Sequence, residues 1–298
     1  MSSLIRMMAC GAVAATGLLA VTASSAQVAP PVPSPANGTF GDRTGIWGNA
    51  PSGRPDTTNP FFKPLGSNAR TCATCHFPND GWSASPGGLS KRFTNTAGLD
   101  PIFLSLDGTN CPSLPVDTLA HRQTASSLLL TRGLIRVELT VPASADYSVA
   151  SVTNPYGCGS TSAISVYRRI LPTTNLPFLS DVMWDGRETS PTGALTDALV
   201  QQANDAIHGH AAGTVAASPS LVGAAVGLEL LQYTAQIYDT NAGPLDAAGV
   251  TGGFVGLTTA KAVAAAPGQP VFTLYTAWES LGASTNPTVA AQASIGRG

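Results

Sequence analysis

The sequence predicts a mainly α, loop-rich fold with one β-hairpin inserted between helices. Three observations carry that expectation. Several stretches repeat apolar residues every three or four positions, one stretch alternates with period two, and 31 Gly and 23 Pro among 298 residues mark frequent turns. With 43% hydrophobic residues, the chain has enough apolar material for a core.

Taken in order, Met1 to Arg6 carry one positive charge and Ala9 to Val21 form an apolar run of 13 residues, followed by Ser24-Ser25-Ala26. This is the pattern of a secretory signal peptide cut after Ala26, placing the product in the periplasm or outside the cell. The run falls short of the roughly 18 to 20 residues of a membrane span. Residues 27–58, rich in Pro and Gly, read as an extended linker. Arg122 to Arg132 reads as a helix stopped by Gly133. Leu134 to Val141 alternates with period two and Tyr147 to Val152 does so more weakly, which gives the hairpin. Ser190-Pro191 opens a helix over Gly193 to Ile207, and Ser218-Pro219 opens another over Ser220 to Tyr238. A third spans Phe272 to Leu281.

Charge narrows the function classes. Only 11% of residues are charged, against about 25% in ordinary soluble domains, and the formal net charge is -2. No basic field is available to hold phosphates, so nucleic acid is excluded as a partner.

Removing Cys10 with the signal leaves Cys72, Cys75, Cys111 and Cys158. Cys72-Ala73-Thr74-Cys75-His76 is C-x-x-C-H, the attachment sequence of a c-type haem, in which two thiols join the vinyl groups and the imidazole ligates the iron. Chance would produce this string roughly 0.001 times per chain of this composition. A zinc half-site wants a second Cys/His pair at ligand spacing, and a thioredoxin-like pair wants a helix where Phe77-Pro78-Asn79-Asp80-Gly81 reads as a loop. One covalent haem c is therefore the expected cofactor, in a cytochrome c-like haem domain. In an exported chain Cys111 and Cys158 are expected to form a disulfide worth about 3 to 4 kcal/mol, the alternative being two buried thiols.

The rest of the axial inventory is short: His121, His208, His210 and Met183. Met183 is either an iron ligand or a core filler. His121 is a ligand or a surface residue near a helix start. His208 and His210, flanking Gly209, suit a mobile iron ligand, a proton donor or a solvated helix end.

Arg168-Arg169 to Glu188, with Met183-Trp184-Asp185-Gly186-Arg187 and then Gln201-Gln202-Ala203, resembles the F-W-D-G-R…L-x-x-Q-A region of the bacterial di-haem cytochrome c peroxidase and MauG family. His121-Arg122-Gln123-Thr124-Ala125-Ser126-Ser127-Leu128 resembles the R-N-T-P-S-L-L segment that precedes it there. The resemblance implies an oxidoreductase of cytochrome c peroxidase type, with electron transfer from a small donor protein and hydrogen peroxide as a substrate. It implies Trp184 as a bridging tryptophan, Arg187 as a partner of an acid or haem propionate, Gln202 as a pocket glutamine and His121 as a releasable distal ligand. The family's catalytic glutamate falls on Ala211 or Ala212, which leaves His208 or His210 as its substitute.

The organisation that follows is a haem domain over 59–180, a helical bridging region over 181–290, and the start of a second haem domain over 291–298. Gln292 to Gly298 resembles the family's R-x-S-I-A-R-G opening of that domain. A second haem domain is thus expected in trans or beyond the given sequence. The alternative function is a mono-haem electron carrier without catalytic activity.

Overall fold

The computed structural model describes residues 37–190, 192–260 and 273–298. The signal peptide, Pro191 and the expected helix start at Phe272 lie outside the described residues. Within them the mainly α, cytochrome c-like expectation is overturned: 35% of the residues are helical and 16% are strand, and the strands form two antiparallel sheets.

The larger sheet has the order β1-β2-β5-β6, from β1 (Asn37–Asp42), β2 (Gly45–Gly53), β5 (Tyr233–Asp239) and β6 (Gly243–Pro244). Its first two strands lie where a linker was expected. Asp42 closes the hairpin by accepting from the backbone N–H of Thr44 and Gly45. Its third strand lies where the helix from Ser220 was expected to run on to Tyr238. The helical spacing of Leu221, Ala225 and Leu228 continues to Gln232, but Tyr-Thr-Ala-Gln-Ile-Tyr prefers a pleated surface, and α5 (Pro219–Glu229) stops four residues before the strand. Trp47 pairs with Gln236 and Asn49 with Thr234.

The second sheet pairs β3 (Leu134–Thr140) with β4 (Ala163–Arg169) in unbroken register. The expected first strand forms, but its partner is not Tyr147 to Val152. Ala163–Arg169 carries Ile164, Val166 and Tyr167, and its stronger β-branched and aromatic content takes the place.

The helices have local causes. α1 (Pro86–Thr96) starts with Pro86 behind Ser85, whose side chain caps Gly88 N–H, while Asp80 grips Ser85 through both its N–H and its hydroxyl. The helix expected from Arg122 to Arg132 divides at buried Ser126 into α2 (Leu119–Ala125) and α3 (Ser127–Arg132), and Gly133 in left-handed backbone ends it. α4 (Leu195–Gly209) begins two residues after the expected start. α6 (Gly253–Thr259), α7 (Thr276–Glu279) and α8 (Pro287–Gly296) complete the order, with Asn286 capping α8.

Two cores matter for the site. Leu89, Phe93, Ile102, Phe103 and Leu129 form one, with Cys75 packed against it; Phe61, Ala73, Trp82 and Ala225 form the other, with Cys72 against it. The motif lies on the seam between them. Asn49, 1% exposed, donates to the Pro78 carbonyl and accepts from Thr234, tying the large sheet to the turn behind the motif.

The seam is also held by Arg92. Its guanidinium donates to both oxygens of Asp100 and to the Thr74 carbonyl at 2.6 Å, and lies 4.2 Å from the centre of the Phe77 ring. Both partners are buried, so removing one leaves the other charged and unpaired. Asp100→Ala is expected to cost about 3 to 5 kcal/mol, read as a drop in the urea midpoint. A loss below 1 kcal/mol, about the level of an exposed pair, would contradict this.

Candidate functional site

The motif is built on a short 3-10 turn, Cys72–Thr74. Thr71 and Thr74 close on each other across it, and the N–H groups of Cys75 and His76 both donate to the Cys72 carbonyl. This winding brings two thiols and an imidazole from five consecutive residues to one place. Phe77 N–H then donates to Ser83 O, and Trp82 N–H donates to Phe77 O, which folds the following loop back under the histidine.

The His76 Nδ1 lies 3.1 Å from the Trp82 carbonyl. A carbonyl only accepts, so Nδ1 carries the proton and Nε2 keeps the lone pair, the arrangement of a metal-binding imidazole steadied from behind. Burial pushes His76 down to about 4, against the pull of the Trp82 carbonyl, so the ring is neutral at physiological pH. Burial pushes the Cys72 thiol up to about 12, with Glu229 adding to it, and the Cys75 thiol up to about 11. A reactive redox pair would show depressed values, so these thiols are poor exchange nucleophiles.

Does the neighbourhood fit a haem? Trp82 Nε1 and Glu229 Oε2 are buried without a hydrogen-bond partner, and both belong to the segments packed around Cys72. Orphaned polar groups beside an apolar cluster suit the mixed surface of a porphyrin with its propionates. Two surface cavities of about 280 and 640 Å³ lie elsewhere, one against β5 and Tyr275, the other against α3 and Tyr156.

The remaining candidates are spread out. His121 is an exposed residue of α2 whose Nδ1 lies 2.6 Å from Asp117, itself exposed. Met183 is half-buried in a loop, with left-handed backbone at φ 72°. Trp184 is 56% exposed and donates from Nε1 to the Arg169 carbonyl at the end of β4. Arg187 forks onto Asp185 at 3.0 and 3.1 Å and lies 3.8 Å from buried Glu188. Gln202 is half-buried on α4. His208 is exposed at the end of α4, its Nδ1 2.8 Å from the Gly213 carbonyl. None of the described hydrogen bonds or ion pairs joins these residues to Cys72, Cys75 or His76.

A charged cluster adjoins the motif, its partners too far apart along the chain for any local pattern to pair them. Arg70, two residues before Cys72, is buried and paired with Asp107, whose other oxygen lies 2.6 Å from Nδ1 of His210. Burial raises the Asp107 carboxyl, but the His210 hydrogen bond and Arg70 outweigh it and hold the group below its ordinary range. Asp107 and His210 are 103 positions apart, so no local spacing could pair them.

Cys111 and Cys158 are free thiols held against one stretch of chain, Cys158 Sγ 3.4 Å from the carbonyl of Asn110, the residue before Cys111. Oxidation should join them, and peptide mapping of protein purified without reductant should recover the two peptides cross-linked; alkylation of both thiols would refute the pairing. Glu229 gives a pH test. Burial holds its carboxyl at about 8 in the folded chain against 4.5 ordinarily, so between these values the folded protein keeps a proton that the unfolded chain has lost. Stability therefore falls as pH rises from 4.5 to 8. Glu229→Gln should flatten that slope and raise the urea midpoint at pH 8 above wild type, whereas parallel slopes would contradict it. Compared with known proteins, the chain matches no family model, no curated protein and no solved structure.

Proposed function

We propose that this chain is an exported c-type haem protein of the di-haem peroxidase and MauG type, carrying one covalent haem and serving in electron transfer. The observation that carries the reading is the C-x-x-C-H turn whose histidine is neutral, with Nδ1 held by a backbone carbonyl and Nε2 left with its lone pair. Cys72 and Cys75 would hold the group covalently, each thiol adding its S–H across one vinyl to give a C–S and a C–H bond with no outside oxidant. When bound, the haem supplies a one-electron iron couple.

The chain's own residues do the rest. His76 would hold the iron through Nε2, and the Trp82 carbonyl keeps its ring from rotating. Trp82 Nε1 is an unpaired buried donor for a propionate. Phe61, Trp82 and Ala225 exclude water from the Cys72 side, and Leu89, Phe93 and Leu129 from the Cys75 side. The exposure of Trp184 suits a residue that meets a second haem domain or a small donor protein. Peroxide reduction, the activity of the resembled family, requires an open iron position and a proton-moving group.

Expressed with a c-type haem maturation system, the protein should retain haem stain on a denaturing gel, with one haem per chain by pyridine haemochrome. Cys72→Ala with Cys75→Ala should abolish the stain. Stain surviving that double change, or none in the wild type, would overturn the proposal.

A further inference from the structure

We infer that His210 is the second axial ligand of the iron held by His76, with Asp107 and Arg70 as the residues that position it. The inference rests on the haem reading above. Two histidines flank Gly209 at the end of α4, and only one of them is built into the structure around the motif. His208 points its Nδ1 at the Gly213 carbonyl and is exposed. His210 points its Nδ1 at Asp107, 2.6 Å away and buried. A carboxylate only accepts, so Nδ1 carries a proton and is committed to Asp107, which leaves Nε2 as the ring atom that would bind a metal. This is the carboxylate–histidine pairing that orients metal-bound imidazoles and raises their basicity.

The support behind Asp107 is unusually complete. Arg70 pairs with its other oxygen, and the same guanidinium donates to the carbonyls of Pro101 at 2.8 Å and His210 at 3.0 Å. The Asp107 carboxylate is thus held between the Arg70 guanidinium and the His210 ring. The cluster is also fixed to the haem motif through the backbone. Asn68 donates from Nδ2 to the His210 carbonyl, the N–H groups of Ser67 and Asn68 donate to the Ala211 carbonyl, and a Cβ on Gly66 would stand 1.9 Å from that oxygen. Residues 66–70, leading directly into Cys72, thus lie against residues 210–211.

The competing ligands lack such support. The carboxylate partner of His121 is 71% exposed, so it holds the ring weakly. Met183 has a half-buried side chain in a loop whose described bonds lead to Trp184, Asp185 and Arg187. Two imidazoles filling both axial positions describe an electron carrier with no resident site for peroxide.

The test uses the full-length haem-loaded protein and its ferric electron paramagnetic resonance and absorption spectra. The wild type should be low-spin with two imidazole ligands. His210→Gly should become high-spin, and added imidazole should restore the low-spin signal. His210→Met, which keeps a ligand and serves if the glycine variant fails to fold, should give a low-spin histidine–methionine spectrum with a raised potential. Asp107→Asn should stay low-spin with a raised potential, a shift that a merely structural ion pair would not produce. A low-spin spectrum that survives His210→Gly unchanged, or that is lost in Met183→Leu or His121→Gly instead, overturns the assignment while leaving covalent haem intact. A wild type without covalent haem overturns the haem reading itself.

Discussion

The Arg92 guanidinium is the interaction on which the rest of the site depends. The C-x-x-C-H motif is a turn, with too few backbone hydrogen bonds of its own to stand rigidly. Arg92 reaches from α1 to take the Thr74 carbonyl, is neutralised by Asp100, and covers one face of Phe77. Charge-assisted bonds of this kind are stronger than neutral ones, and burial shields this pair from water and salt. Through it the 3-10 turn is joined to a helix, and the helix to the Asp100–Phe103 corner of the core they share.

A second buried arginine acts on the other side of the motif. Arg70 binds Asp107 and the carbonyls of Pro101 and His210, so the chain entering the motif and the chain leaving α4 share one guanidinium. Both arginines therefore compensate for irregular backbone: they satisfy carbonyls that no helix or strand would reach. A loop-rich protein with few charges places two of its guanidinium groups where loops most need them.

What could be read from the sequence was local. C-x-x-C-H, the Gly133 stop, the strand from Leu134 and the Ser-Pro start of α5 each depend on neighbours within a few positions. What escaped was decided at long range. Residues 37–53 resemble a linker until β5 is present to pair with them, and Tyr233–Asp239 looks like the tail of a helix until β2 is present. The same limit separates His208 from His210. They are equivalent in the sequence, and only Asp107, brought in from 103 positions away, distinguishes them. Glu229 reads as an ordinary helix-end carboxylate, because the apolar cluster that desolvates it is assembled from distant segments.

The pairing of β2 with β5 has a consequence for the order of events during folding. Trp47 and Gln236 face each other across 189 intervening steps of chain, and such non-local contacts must pay a large loop-closure entropy before they gain anything. The turn carrying Cys72 and Cys75 closes its own hydrogen bonds within residues 71–76 and meets α1 within about twenty positions, so its contacts are the local ones that form early. The large sheet, buttressed against that turn through Asn49 and Pro78, closes late. In the interval the two thiols stand on a formed turn that the sheet has yet to back, which is the window in which chemistry on those sulfurs meets the least obstruction.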